Sequence, residues 1–340
     1  MDTSTSAEAS ASGVAGGYAK AVTGLLIRNN SIIMLAILFV VSASLSDAFL
    51  TQGNLYNLMR QLTPLLLVSI GMLLVINTGG IDLSVGSIAG AGGLVVAMVL
   101  PLMPDSAFGL VGAILTAVAL GAVFGLVSGL LVAVFGLASF IVTLAMMTVA
   151  RGTTFMLSNG QPIRLPYDLV SAGLMDELGS GGLPWINLPW PVVLSIAIVA
   201  LFYFVMQHTT FGRLVIATGS NETAVRLAGI SERKYKFFVY VISGALAALA
   251  GVISTARTGV GTPVTGVGLE LDAIAACVIG GALLSGGRGT VVNTVIGVLV
   301  LGLIGNIMNL LSVPAYPQQI IKGLIIIFAV LLQRFGERRR

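Results

Sequence analysis

Thr209-Thr-Phe-Gly-Arg-Leu-Val-Ile-Ala-Thr-Gly-Ser-Asn-Glu-Thr-Ala-Val-Arg-Leu-Ala-Gly-Ile-Ser-Glu-Arg-Lys-Tyr-Lys236 is the one sizeable polar interval rich in basic residues. Apolar runs flank it at 190–207 and 237–256, and others lie at 30–47, 57–77, 84–101, 108–133, 138–157, 270–286, 291–311 and 317–334. Each approaches the roughly 20 residues with which a helix crosses a bilayer. Over 340 residues, 56% are hydrophobic and 9% charged, with a mean hydropathy of +1.03. About a quarter of a soluble domain is charged, and no soluble core absorbs segment after segment of bilayer length. The chain therefore reads as all-α, a polytopic transmembrane helical protein of about ten spans. The runs at 84–101 and 270–286 are the weakest, because glycine and polar residues interrupt them. Forty-three glycines suit such a bundle, since small residues let helices approach closely in lipid.

Charge gives the orientation. With a cytoplasmic amino terminus and an even number of crossings, Lys20, Arg28, Arg213, Arg226, Arg233, Lys234, Lys236, Arg288, Arg334, Arg338, Arg339 and Arg340 fall inside. Arg60, Arg151, Arg164, Arg257 and Lys322 fall in outer or near-outer positions, as the inside-positive bias requires. Residues 1–29 are read as a disordered cytoplasmic tail, because 1–17 is small and polar and lacks the basic start of a signal peptide. Residues 30–335 form one membrane domain and 336–340 a basic tail. The segment 158–189 is the long outer loop, a partly ordered cap with Trp185 and Trp190 at the interface. Cys277 and His208 are each single, so neither an intrachain disulfide nor a His/Cys metal site is expected.

Three segments carry function. In Asn77-Thr-Gly-Gly-Ile-Asp-Leu-Ser-Val-Gly-Ser87 an acid and two hydroxyls stand beside glycines at a helix break. Asp82 is costly against lipid and is placed to cap the next helix through backbone N–H groups near Ser84 and Val85. A purely structural cap and a part in gating or assembly, shared with Gly80, Ser84 and Gly86, both fit. Gly121, Gly125 and Gly129 share one helix face, a flat seam for another helix of this or another subunit. In 209–236, Ser220 caps a short helix over 221–228. Glu222 suits its positive end, Arg226 its negative end, and Gly229 ends it. Ala224, Val225, Leu227 and Ala228 make its apolar patch. Resting on lipid and docking a protein both remain open, and the small, tightly capped patch favours the protein. An echo between Gly80-Ile-Asp-Leu83…Gly92-Gly93 and Gly268-Leu-Glu-Leu271…Gly280-Gly281, on opposite sides of the membrane, has the form of an inverted repeat; chance similarity in so glycine-rich a chain fits it as well.

The motif at 79–87, the stretch 209–251 and Gly268-Leu-Glu-Leu-Asp-Ala-Ile-Ala-Ala-Cys-Val-Ile-Gly-Gly-Ala-Leu-Leu-Ser-Gly-Gly-Arg-Gly289 together resemble the permease subunits of bacterial ABC importers for monosaccharides, most of all the ribose type. Residues 306–310 and 319–332 match as well. The resemblance implies a non-catalytic subunit of the bacterial inner membrane, and the charge distribution with ten crossings places both termini in the cytoplasm. The resemblance also implies a partner ATPase that binds ATP and magnesium, and a periplasmic sugar-binding protein. A second permease copy or a close paralogue completes the pathway. It further makes 220–229, including Asn221, part of the coupling region. Val225 stands where alanine is commoner and Cys277 where a small aliphatic is usual, and neither removes a charge or a cap.

A neutral sugar needs no counter-charge, so the pathway is expected to be small and weakly polar, with Asn77, Ser87, Thr143, Asn306 and Asn309 in its lining. Enzymatic chemistry is not expected, because no Gly-x-x-x-x-Gly-Lys-Ser/Thr loop or dinucleotide fingerprint is present. The net charge of +4 follows the inside-positive bias and gives no reason for nucleic-acid binding. An ion-coupled secondary carrier is the competing class, with Asp82, Glu270, Asp272 and Lys322 as its candidate groups. A membrane scaffold is the third class, and it predicts no flux.

Overall fold

The computed structural model describes residues 30–337; the tail assigned to 1–29 and the three final arginines lie outside them. In chain order the helices are α1 (Asn30–Leu45), α2 (Gln52–Asn77), α3 (Val85–Val99), α4 (Ala107–Ala133) and α5 (Ser139–Ser158). They continue as α6 (Val170–Ser180), α7 (Trp190–His208), α8 (Thr210–Ser220), α9 (Glu222–Leu227) and α10 (Glu232–Thr258). Last come α11 (Leu269–Ile279), α12 (Val291–Leu310) and α13 (Ala315–Glu337). The described residues include one ribbon, β1 (Ile163–Arg164) antiparallel to β2 (Val260–Gly261).

Among the described residues seven helices are long and apolar enough to cross a bilayer: α2, α3 with a 3-10 turn that extends it to Leu102, α4, α5, α7, α10 and α12. The remaining expected spans take other forms. α1 has 16 residues, and the run at 317–334 falls within the 23-residue α13. The run at 270–286 yields only the 11 residues of α11. At 1.5 Å per residue that is about 16 Å, half of the hydrocarbon thickness. Gly281, at φ 86°, then turns the chain where an L side chain is strained.

α10 is the central helix, packed against α2, α3 and α4. Glycine is the reason it can be approached so closely. A methyl group on Gly121 would strike the carbonyl of Gly244, and one on Gly125 the carbonyl of Tyr240. One on Gly129 would come within 2.7 Å of the carbonyl of Phe237. The glycine seam of α4 is thus filled by a helix of the same chain, a point the spacing alone left open. On α3, Gly92 meets Ala248 and Gly93 meets Gly251, where Thr255 Oγ1 donates to the Gly93 carbonyl at 3.0 Å. Gly125→Leu is expected to cost at least about 1–3 kcal/mol through overpacking against backbone that cannot yield. Gly112→Leu on the same helix should be tolerated, since a Cβ there meets only the end of the Met103 side chain, at 3.5 Å. Thermal unfolding of the two variants in detergent compares them.

The long loop 158–189 is ordered by contacts and not only by composition. β1 fastens it to β2, and α6 buries Ala172 and Met175 against Val252 and Ala256. Trp190 is partly buried at the start of α7, whereas Trp185 is 93% exposed at the loop's tip. α6 has no cap from its own Ncap side chain. Asp105 supplies one from another loop, accepting from Ser171 N at 2.8 Å and Val170 N at 3.1 Å. Those bonds, that of Ser171 first, hold the Asp105 carboxyl below its usual pKa. A carboxylate with a depressed folded pKa contributes stability above its unfolded pKa and loses it as pH falls through the folded value. Protection of the 170–174 amides from exchange should therefore drop as pH falls below the ordinary carboxylate range. Asp105→Ala should show the same loss already at neutral pH, and hydrogen exchange measures both.

Candidate functional site

The break before α3 is tied down from three helices. Thr78, Gly79 and Gly80 leave the end of α2 by turns onto the carbonyls of Val75 and Ile76, with Gly79 at φ 81°. The chain then passes beneath Tyr240, whose hydroxyl lies so close to Gly80 that a side chain there would collide with it. Ile81 is held at both ends of its peptide: its N–H donates to Ser139 Oγ at 3.3 Å and its carbonyl accepts from Thr143 Oγ1 at 3.2 Å. Asp82 is fully buried. Its Oδ1 accepts from Ser84 N at 3.1 Å and Ser84 Oγ at 2.5 Å, and its Oδ2 from Ser243 Oγ of α10 at 2.9 Å.

The expected backbone cap at Ser84 is thus present. The bond from Val85 is replaced by two hydroxyls, one of them on a helix distant in sequence. Asp82 lies in the break, outside either spanning helix, and burial there pushes its carboxyl pKa up against the opposing bonds from Ser84 and Ser243.

A second irregular segment meets this one. From Gly261 to Gly266 the chain runs along α3 from Gly93 to Gly86, a descent of roughly 10 Å at the helical rise. Irregular backbone at such depth persists only where protein satisfies its polar groups. Arg151, midway along α5, does so by donating Nη1 to the carbonyls of Pro263 and Thr265, the latter at 2.9 Å. Glu270, in the first turn of α11, attracts the same guanidinium. Gly86 sits against the Glu270 carboxylate and the Gly266 carbonyl, so the starts of α3 and α11 touch in the interior of the bundle. Sequence reasoning placed Arg151 only as a near-outer cation and missed Ser139 and Ser243. A charge in the middle of an apolar run was the available signal for Arg151. The serines gave none.

At one end of the bundle the polar interval folds as α8, α9 and the start of α10. Ser220 is not the cap of the short helix. It is the last residue of α8, and its Oγ donates to the Ile216 carbonyl at 2.9 Å. Asn221, extended at φ −159°, takes the cap position, and its Oδ1 accepts from Ala224 N at 2.9 Å. A cap directly precedes the helix it starts and has non-helical backbone angles, whereas Ser220 is helical and is separated from Glu222 by Asn221. The other end is as expected: Gly229 at φ 78° donates to the Arg226 carbonyl and Ile230 to that of Val225, a Schellman ending. Glu222 reaches Lys236 of α10 at 2.7 Å. The four apolar residues divide, with Val225 buried while Ala224, Leu227 and Ala228 face outward, Leu227 at 82% exposure. A cavity of about 640 Å³ opens beside α9, bordered by Gly79, Gly80, Glu222, Arg226 and Lys236.

The five residues expected along a pathway separate into two groups. Asn77, Ser87 and Thr143 are buried within the chain. Asn77 Nδ2 donates to the Gly289 carbonyl at 3.3 Å, which ties α2 to the turn before α12, and Thr143 holds Ile81. Asn306 and Asn309 instead border a cavity of about 310 Å³ at the opposite end of the bundle from α9. There Asn306 also exchanges side-chain hydrogen bonds with Asn54, at 2.8 and 3.1 Å. Cys277 is fully buried in the core, and His208 packs its ring on Phe204 with centroids 5.4 Å apart. Among the described residues no group of three or more His, Cys, Asp or Glu side chains is placed to hold a metal ion.

Bilayer-length helices around an interrupted pair, with a capped helix displayed at one end, are the build of a polytopic membrane permease. The chain belongs to the family described as branched-chain amino acid transport system / permease component, which it matches over residues 54–330. It is a non-enzymatic membrane subunit. Among its relatives, the ribose import permease protein RbsC of Escherichia coli (strain K12) is 41% identical over 308 residues, 90% of this chain and 94% of that protein. RbsC of Bacillus subtilis (strain 168) is 39% identical over 314 residues, 92% and 94% of the two chains. The L-arabinose transport system permease protein AraH of Escherichia coli (strain K12) is 35% identical over 311 residues, 91% of each. No solved structure matches the chain.

Proposed function

We propose that this chain is the membrane permease subunit of an ATP-driven importer for a monosaccharide, a pentose such as ribose or a similar hexose. The observation that carries the reading is 35–41% identity, over nine-tenths or more of each chain, to proteins named for ribose and arabinose transport. Two copies of the chain, or one copy and a close paralogue, enclose the passage in the bacterial inner membrane. The permease domain covers 30–335, with both termini cytoplasmic and ten crossings in all. In this reading α1 and α13 cross, and α11 with its descending segment makes the broken eighth crossing. The starts of α3 and α11 would then be equivalent positions of an inverted repeat, entered from opposite faces.

The interval 209–236 faces the cytoplasm, where α9 couples to an ATPase that holds ATP and magnesium. A periplasmic sugar-binding protein docks on the opposite face, over 158–189, and delivers the sugar. Gly80, Asp82, Ser84 and Gly86 serve assembly and gating at the break. Asn77, Ser87 and Thr143 hold that break and the neighbouring turn, while Asn306 and Asn309 border the passage itself. A secondary carrier is the weaker reading. Asp82 is enclosed by hydroxyls, and Asp272 is paired with Lys322 at 2.8 Å. Vesicle uptake of radiolabelled sugar separates the two. We expect uptake only with ATP, the ATPase and the binding protein present, and uptake by this chain alone under an ion gradient would replace the importer with the carrier.

A further inference from the structure

The 310 Å³ cavity between α2, α10, α11, α12 and α13 has a wall that a passive gap would not need. Gln61, Arg257, Asp272, Asn309, Gln318 and Lys322 all reach it. Lys322 Nζ and Asp272 Oδ2 stand 2.8 Å apart with their side chains only 35% and 24% exposed. Replacing a partly buried ion pair by apolar side chains is often neutral or stabilising, so packing alone gives little reason for this one. Beside it Gln318 Nε2 donates to Asn309 Oδ1 at 2.9 Å, and Arg257 Nη1 is shielded from solvent with no protein acceptor. A carboxylate, an ammonium, carboxamides and a spare guanidinium N–H supply acceptors and donors side by side. Each hydroxyl of a sugar is both donor and acceptor, so this wall suits a neutral polyhydroxylated ring. The volume lies at the lower end of small-molecule sites. No aromatic side chain is among the described residues that line it, so a sugar face finds no ring to stack on and is held weakly.

We propose that this cavity is a low-affinity monosaccharide subsite on the entry side of the passage, with Asp272, Asn309 and Lys322 as hydrogen-bonding groups. The inference rests on the importer reading and adds to it a place where the permease itself holds the sugar. Weak binding is what a conducting site requires, since a ligand must leave as readily as it enters.

The test uses the whole complex of permease, ATPase and binding protein in liposomes, with Gln61→Cys as a reporter. Gln61 is exposed in the cavity, and the native Cys277 is fully buried and silent. D-ribose or L-arabinose at tens of millimolar should slow modification of this cysteine by a small cationic thiosulfonate several-fold. Glycine at equal osmolarity should not, and Ala107→Cys, outside the cavity, should react at one rate throughout. Adding Asn309→Ala should raise the sugar concentration for half-protection by about fivefold, the effect of one lost hydrogen bond. Should Gln61→Cys fail to assemble, Gln318→Cys reports from the facing helix. Unchanged labelling while the same complex drives sugar uptake overturns the subsite and leaves the importer reading standing. Protection that Asn309→Ala does not shift, or that inorganic phosphate gives and sugar does not, overturns it equally. If the parent complex moves no sugar with ATP, the importer reading fails and takes the subsite with it.

Discussion

Ala228→Asp and Ala224→Asp are expected to release the ATPase from the permease while leaving the permease folded. Both side chains face outward on α9, and Leu227 beside them is 82% exposed. The fold of the interval depends instead on Val225 beneath, the Asn221 cap and the Glu222–Lys236 pair. A carboxylate pressed into a packed apolar contact without a partner costs about 2–4 kcal/mol or more, roughly 30- to 1,000-fold in affinity. Co-purification of the ATPase should fall to background and ATP-driven uptake should vanish, at unchanged expression and unfolding temperature. Normal co-purification and uptake in both variants would remove α9 from the coupling role. If the helix rested on lipid instead, the same changes would weaken liposome attachment of the interval and spare the ATPase.

Asp82→Ala should be the most damaging single substitution at the break, and Asp82→Asn much milder. Removing the carboxylate leaves the Ser84 and Ser243 hydroxyls and the Ser84 N–H without their acceptor in a fully buried place. Each unsatisfied group costs about 1–3 kcal/mol, enough together to threaten the marginal stability of a folded chain. Asparagine keeps an acceptor for Ser84 and offers an N–H to Ser243. It also removes the charge whose burial is unfavourable. We expect assembled transporter and ATP-driven uptake to rank parent, then Asn, then Ala, by size-exclusion yield and vesicle uptake. Neither variant nor the parent should carry protons. Sugar-dependent acidification by the parent, lost in the Asn variant, would make Asp82 a proton carrier and reverse the assignment.

Glycine shows most plainly what each level of description supplies. The spacing of Gly121, Gly125 and Gly129 marks a helix seam in the sequence, because three residues four apart share a face whatever they meet. That the seam receives Gly244 and Tyr240 of the same chain is a fact of tertiary packing. The caps of α9 divide in the same way. Gly229 is legible as a terminator, since few residues adopt its φ of 78°. The shift of the cap from Ser220 to Asn221 depends on how far α8 continues, and α8 ends where Gly219 packs against Asn77 and Gly287.

The membrane character, the seven bilayer-length apolar helices, the break at 78–84 and the polar interval are properties of composition and period, and the sequence by itself determined them. It did not determine where single polar groups find partners. Asp82 with Ser243, Arg151 with the carbonyls of Pro263 and Thr265, and Lys322 with Asp272 join residues between 50 and 161 positions apart. In a chain this apolar each such group is costly until it is paired. Its partner is whichever donor or acceptor the folded bundle brings within hydrogen-bonding distance, and only the tertiary structure decides that.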